Sequence, residues 1–182
     1  MVNPTSFYIP ILILSIVLHI LYVDHNTVTA TSNSDKVPFI RQSCKATSVP
    51  DTCISVLEAD SRSRNATDLK SLTRISIDIV YEEAIGLKLL FIKAEENVTD
   101  PVLERNVKLC IKSFDYCSYH IKTAAIPDFE EGNYRDANID VDFCGGCAND
   151  CTDTGIKLFN REIATLYDFS GDVLAFLNML RS

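Results

Sequence analysis

The sequence predicts an all-α protein, an antiparallel up-down-up-down four-helix bundle preceded by an N-terminal helical hairpin and stapled by disulfides. Three observations carry this. Apolar residues recur at spacings of three and four in four long segments separated by short breaks. Strand-type alternation is almost absent. Four of the seven cysteines, Cys110, Cys117, Cys144 and Cys151, fall on the same apolar seams. Apolar residues make up 47% of the chain, enough to build a core in one domain of ordinary size.

Residues 1–30 read as a secretory signal peptide. Phe7 to Val23 form an uncharged apolar run that ends at Asp24, and Val28-Thr29-Ala30 fits the small-x-small rule for cleavage. The segment before the run lacks Lys and Arg, which departs from the usual signal pattern. The rival is an uncleaved membrane anchor, but the run is short for a span that needs about 20 residues. Cleavage after Ala30 leaves a mature domain over residues 31–182, with no membrane association. Asp24 is the only charged side chain removed, so 24 acids face 17 Lys and Arg and the net charge is −7. That balance argues against nucleic acid, which needs basic clusters. It suits a soluble protein that meets a basic partner.

The mature chain opens with a polar stretch over 31–36. The hairpin follows at 37–60, where Cys44 and Cys53 flank Thr47-Ser48-Val49-Pro50-Asp51-Thr52. Pro50 is suited to the first turn of a helix. A local Cys44–Cys53 disulfide closing about ten residues contributes roughly 3 kcal/mol in the chain-entropy model.

The bundle is expected over 68–181. Its first helix runs from Asp68 to about Glu96, with Leu69, Leu72, Ile75 and Ile79 inward and Thr67 or Asp68 as cap. Pro101 starts the second, whose seam is Leu103, Val107, Cys110, Phe114, Cys117, Ile121 and Ala124. The spacings of 4 and 3 alternate as in an a/d stripe. Pro127 ends this helix, and Asp128 to Asn133 form an acidic loop containing Gly132. The third helix carries Ala137, Val141, Cys144, Ala148, Cys151, Gly155 and Leu158, weakened at Gly145-Gly146 by about 1 kcal/mol per Gly. The fourth runs from about Arg161 to Leu180, with Ile163, Leu166, Phe169, Val173, Leu177 and Leu180 inward.

Antiparallel geometry makes the cysteines informative. Facing residues on two antiparallel helices have residue numbers of constant sum. Cys110 with Cys151, and Cys117 with Cys144, both sum to 261. Two disulfides therefore rivet the second and third bundle helices one heptad apart. The outer one closes about 42 residues, worth roughly 4 kcal/mol, and the nested one adds less. Cys147 is left as a free thiol, available for an intermolecular bond. In a secreted chain these cysteines read as disulfides. Asn65 and Asn97 head Asn-x-Thr sequons and are candidate glycosylation sites.

No catalytic set is legible. Nucleophile-elbow, zincin, P-loop and Rossmann patterns are all missing, and His120, the sole mature histidine, has no triad context. Asp136, Asp140, Asp142, Asp150 and Asp153 on the third helix read as a solvated acidic face, plausible for docking a basic partner. Cys144 and Cys147, with Cys151 and His120, give a rival redox or metal reading, but the motif lies inside a helix rather than at a helix start. The sequence thus favours a binding protein, not an enzyme, with no cofactor and no metal.

At the level of family, several landmarks converge. They are Cys44, Val49-Pro50-Asp51-Thr52-Cys53, Asp68-Leu69-Lys70-Ser71-Leu72, Ile75-Ser76-Ile77-Asp78-Ile79, Asp100-Pro101, Cys110, Gly132-Asn133-Tyr134-Arg135-Asp136-Ala137-Asn138 and Cys151-Thr152-Asp153. In this order the mature chain resembles the plant invertase and pectin methylesterase inhibitor family from about Ile40 to Leu180. The resemblance implies a four-helix bundle behind a helical hairpin, with disulfides at Cys44–Cys53 and Cys110–Cys151. Cys117, Cys144 and Cys147 depart from the common pattern. So do Asp142, Phe143 and Cys144, which stand where small residues are usual.

The resemblance further implies a secreted, monomeric inhibitor in the apoplast or cell wall. It would bind a carbohydrate-acting enzyme one-to-one and block its cleft. Invertase inhibitors resemble one another in a Pro-Lys-Phe stretch at the start of the third bundle helix. Here Tyr134-Arg135-Asp136 stands there, and Asn133-Tyr134 is more similar to the pectin methylesterase inhibitors. Those use faces of the second and third bundle helices, so Asn133, Tyr134, Arg135, Asp136 and Asp140 are the candidate partner-binding residues. Pectin methylesterase is the expected target and acid invertase the alternative. The redox or metal protein using Cys144 and Cys147 is the distant one.

Overall fold

The computed structural model describes residues 36–182, and the expectations placed on 1–30 lie outside that range. All regular structure among the described residues is helical. The helices are α1 (Lys36–Cys44), α2 (Pro50–Ala59), α3 (Leu69–Glu95), α4 (Pro101–His120), α5 (Ile126–Glu131), α6 (Tyr134–Asp153) and α7 (Asn160–Leu180). A short 3₁₀ turn at Ser63–Asn65 precedes α3, and a π-helical turn at Ile121–Ala125 joins α4 to α5.

The four long helices pack in a ring: α3 on α4, α4 on α6, α6 on α7, and α7 back on α3. This is the up-down-up-down bundle that the heptad seams predict. The hairpin α1–α2 is closed by a Cys44–Cys53 disulfide, and α2 rests on α7.

Local signals set the starts. Asp68 accepts from the Ser71 N–H at 2.7 Å while the Ser71 hydroxyl receives the Asp68 N–H, a reciprocal capping box. Of the two caps the sequence offered, Asp68 is used. Asp100 accepts from the N–H groups of Val102 and Leu103 at 2.9 and 2.8 Å, and Pro101 occupies the first turn, where its missing N–H costs nothing. Pro50 does the same for α2.

The core runs the length of the bundle. Phe91, Phe114, Phe129, Phe169 and Phe176 are fully buried among Leu, Ile and Val. Phe91 lies 5.9 Å from Phe114 and meets Phe159 edge-on at 5.0 Å. Phe159 takes a left-handed backbone (φ 57°) in the turn before α7. A left-handed non-glycine residue costs about 1–2 kcal/mol. Burying part of an aromatic ring, worth about 25 cal/mol per Å² of apolar surface, offsets that.

Four sequence expectations are corrected. Pro127 does not end the second bundle helix. The chain widens through the π turn, where Ile126 N–H donates to the carbonyl of Ile121, five residues back, and then continues as α5 to Glu131. Widening accommodates a proline ring that would otherwise crowd the carbonyl four residues before it. Asp128 to Glu131 are consequently helical rather than loop. Gly132, at φ 84°, ends the helix with its N–H turned to Phe129. The extra residue in the π turn also shifts the seam by one place: Ala125 is fully buried and Ala124 only half-buried. Finally, α6 stops at Asp153, so Gly155 (φ 76°) and Leu158 lie in the turn beyond it.

Candidate functional site

The α4–α6 pair is the most strongly tied part of the bundle. Cys110 is bonded to Cys151 and Cys117 to Cys144, with Cα separations of 4.8 and 4.6 Å. The two bonds lie one heptad apart, as the constant-sum argument requires. All four cysteines are fully buried. Cys147 carries the free thiol and is 4% exposed, so it is not available for a bond between molecules. Burial first, and the nearby Asp150 charge second, push its thiol up to about 11, against a smaller opposing effect from the Cys117 backbone.

Because cystines fill the inner seam, the outer faces of α4 and α6 are free to present side chains. Leu109, Tyr116 and Tyr119 project from α4 at helical spacing, and Ile139 and Phe143 from α6. Tyr119 is 62% and Ile139 59% exposed. Between the helices His120 Nδ1 meets Asp140 Oδ1 at 3.2 Å, and the imidazole lies 4.3 Å from the Phe143 ring. Lys112 sits 5.5 Å over the Tyr116 ring. Two shallow grooves flank Tyr116. One, of about 320 Å³, is lined by Tyr81, Asp115, Ser118 and Lys122. The other, of about 310 Å³, is lined by Leu109, Lys112, Asp150 and Asp153.

The residues expected at the interface divide. Asp140 joins this face through His120. Arg135 and Asp136 are exposed on the first turn of α6. Asn133 is the residue before that turn; its side-chain amide donates to Glu131 at 3.3 Å. Tyr134 is half-buried and packs on Phe129 of α5 at 5.3 Å, so it also serves the core. The five aspartates do not form one surface. Asp142 lies on the opposite flank of α6, in a cleft of about 350 Å³ shared with Tyr167, Asp168 and Gly171 of α7. The α4 ridge was missed by sequence reading, although Leu109, Tyr116 and Tyr119, at spacings of seven and three opposite the seam, were its signal.

The cysteine-based alternative fares differently. Cys144 and Cys151 are both in disulfides, so Cys144 and Cys147 are not a dithiol pair. Among the described residues no cluster of three His, Cys, Asp or Glu is arranged to hold a metal ion. Asn65 and Asn97 are both exposed, as are Thr67 and Thr99. Among the described residues no helix is long and apolar enough to cross a membrane.

What the geometry defines is a cystine-riveted helical bundle with exposed aromatic and aliphatic side chains along α4 and α6. The comparisons place it more closely. The family model of the plant invertase/pectin methylesterase inhibitor matches residues 38–160, and the chain belongs to that family, whose members are inhibitors and not enzymes. Two solved structures share the fold. A mutant form of a pectin methylesterase inhibitor from Arabidopsis aligns with a TM-score of 0.66 at 19% identity, over 80% of this chain and 97% of that one. A pectin methylesterase inhibitor from Arabidopsis thaliana aligns at 0.59 and 17% identity, over 79% and 96%. No individually curated protein matches the sequence.

Proposed function

We propose that this protein is a secreted inhibitor of pectin methylesterase that binds the enzyme one-to-one and closes its substrate cleft with the α4–α6 face. The observation that carries the reading is the exposed ridge of Leu109, Tyr116, Tyr119, Ile139 and Phe143 on a doubly riveted helix pair. A rigid face loses little conformational freedom on docking, and exposed aromatics supply the anchors that dominate protein interfaces. Arg135, Asp136 and the His120–Asp140 pair give it a polar border. Asn133-Tyr134, in the place of a Pro-Lys-Phe stretch, favours pectin methylesterase over acid invertase. The shared fold with two pectin methylesterase inhibitors points the same way.

Secretion to the apoplast follows from residues 1–30 acting as a cleaved signal, leaving a mature monomeric domain over 31–182. The hairpin occupies 37–60 of it and the bundle 68–181. Three disulfides suit an oxidising compartment, and exposed Asn65 and Asn97 suit glycosylation.

Titration of the purified mature protein against pectin methylesterase and, in parallel, acid invertase tests the target. Stoichiometric loss of pectin de-esterification with sucrose hydrolysis untouched is the expected result. The reverse selectivity replaces the target, and no inhibition of either enzyme at micromolar protein rejects the reading. Tyr119→Ala combined with Phe143→Ala is expected to weaken inhibition at least tenfold while leaving thermal stability unchanged.

A further inference from the structure

His120 holds a particular place on the α4–α6 face. It is the last residue of α4, immediately before the π turn at Ile121–Ala125, and such turns recur where proteins place functional side chains. Three side chains flank its ring. From α6, Asp140 Oδ1 lies 3.2 Å from Nδ1, and the Phe143 ring lies 4.3 Å from the imidazole at an interplanar angle of 43°. From α4 itself, the Tyr119 ring stands edge-on at 5.9 Å and 86°. Asp140 and Phe143 are three residues apart on α6 and so share one face of that helix. The imidazole therefore joins Tyr119 and Phe143, exposed aromatics of two different helices, into one contact surface.

Asp140 differs from its neighbours on this face in how little of it is presented. Its side chain is 19% exposed, against 38% for His120, and the flanking aromatics stand out further still. A carboxylate only accepts, so Nδ1 carries the hydrogen that Asp140 receives. Nδ1 can donate from the neutral ring and from the imidazolium alike, so the contact orients the ring in either charge state. Without that contact the ring torsion of a histidine is broad and weakly held. A side chain already held in place has less freedom left to lose when a partner docks.

We infer that Asp140 is a positioning residue of the inhibitory face, an inference that rests on the inhibitor reading given above. Its carboxylate locks His120 between Tyr119 and Phe143. The grip on the enzyme depends on that lock and not on contact between Asp140 and the enzyme. Asp140 thus acts through His120, and the unit that meets the partner is the aromatic trio that the carboxylate holds in register across α4 and α6.

The test titrates the full mature chain against pectin methylesterase beside four variants: Asp140→Ala, Asp140→Asn, His120→Ala and the double change Asp140→Ala with His120→Ala. Asp140→Ala is expected to weaken inhibition about two- to tenfold, the cost of ordering a loosened side chain at an interface, with thermal stability unchanged. Asp140→Asn, whose amide oxygen can still accept from Nδ1, is expected to recover most of that loss. In the His120→Ala background the alanine at 140 is expected to add nothing. An alanine effect of the same size with and without His120, or no effect beside a parent that inhibits, overturns the inference. The free protein supplies an arm that needs no enzyme. NMR contacts between the His120 and Phe143 rings are expected in the parent and in Asp140→Asn, and are expected to be lost in Asp140→Ala. Their persistence unchanged in Asp140→Ala overturns the lock whatever the enzyme does. A parent that inhibits nothing, yet loses the ring contact with alanine at 140, upholds the lock and rejects the inhibitor reading instead.

Discussion

Asp172 links the hairpin to the bundle, and its replacement separates a hydrogen-bond effect from a charge effect. The carboxyl is fully buried on α7, and its Oδ1 accepts from the Val49 N–H at 3.0 Å. Val49 lies in the turn between α1 and α2, next to the Thr47 hydroxyl, which donates to Cys44. The second oxygen, Oδ2, is buried with no hydrogen-bond partner among the described residues. Burial holds this carboxyl above its ordinary value, against the pull of Val49 and Thr47 and with help from Asp168. Its folded pKa therefore exceeds its unfolded one. The stability it contributes is full below the unfolded value and is lost as pH rises through the folded value.

Asp172→Asn keeps the oxygen that Val49 uses and removes the charge. Its stability relative to the parent should rise from about pH 4 toward neutral and then level off. Asp172→Ala removes the acceptor and orphans the Val49 N–H. In acid, where the parent carboxyl is neutral, that should cost about 1–3 kcal/mol. For a domain of this size each kcal/mol corresponds to about 2–4 °C in Tm. Urea unfolding across the pH range measures both variants. Hydrogen exchange at the Val49 amide should accelerate in the alanine variant only. A difference between Asn and parent that stays flat or falls with rising pH would refute the reasoning.

Other outcomes can be measured on the same protein. Removing Cys110 and Cys151 together as serines, with the inner bond kept, opens a ring of about 16 residues and should cost about 3 kcal/mol by urea unfolding. Gly132→Ala forces a side chain into the left-handed region at φ 84° and should cost about 1–2 kcal/mol. Gly146→Ala, in open helical space, should instead stabilise by up to about 1 kcal/mol; calorimetry distinguishes the two signs. Arg62 bonds Asp60 and Glu82, each at 2.7 Å, and its side-chain hydrogen bond holds the Asp60 carboxyl below its ordinary range. Such stability is present above the unfolded pKa and lost as pH falls through the folded one. Arg62→Gln should therefore cost under about 1 kcal/mol near neutrality, with a loss that fades in acid titrations.

Within the candidate site, legibility was uneven. Asp140 was named as a partner-binding residue, but its partner His120 and the neighbouring Phe143 were not, because their meeting depends on where two helices cross. Tyr134 stood out as an interface residue, yet it packs on Phe129, which lies in a segment read as a loop. The five aspartates of the third helix read as one acidic face by composition, but their angles around the helix divide them. Asp140 and Asp142 point to opposite flanks, and only the positions of α4 and α7 give those flanks different meanings.

What the sequence by itself determined follows from periodicity and covalent constraint. Heptad seams set which faces of the four long segments are apolar. Asp68, Asp100 and Pro101 set where two of them begin. The constant sum of 261 fixed which cysteines face each other, because antiparallel helices repeat at the same rise. The tertiary structure alone decided the rest. Pro127 became part of a continuing helix because the π turn gave its ring room and brought Ala125 rather than Ala124 into the core. Phe159 took a left-handed backbone with its ring edge-on to Phe91. Cys147 was buried although it lies off the heptad seam. For Phe159 a long-range contact accompanies a local cost of about 1–2 kcal/mol, and such contacts are set by where the helices meet.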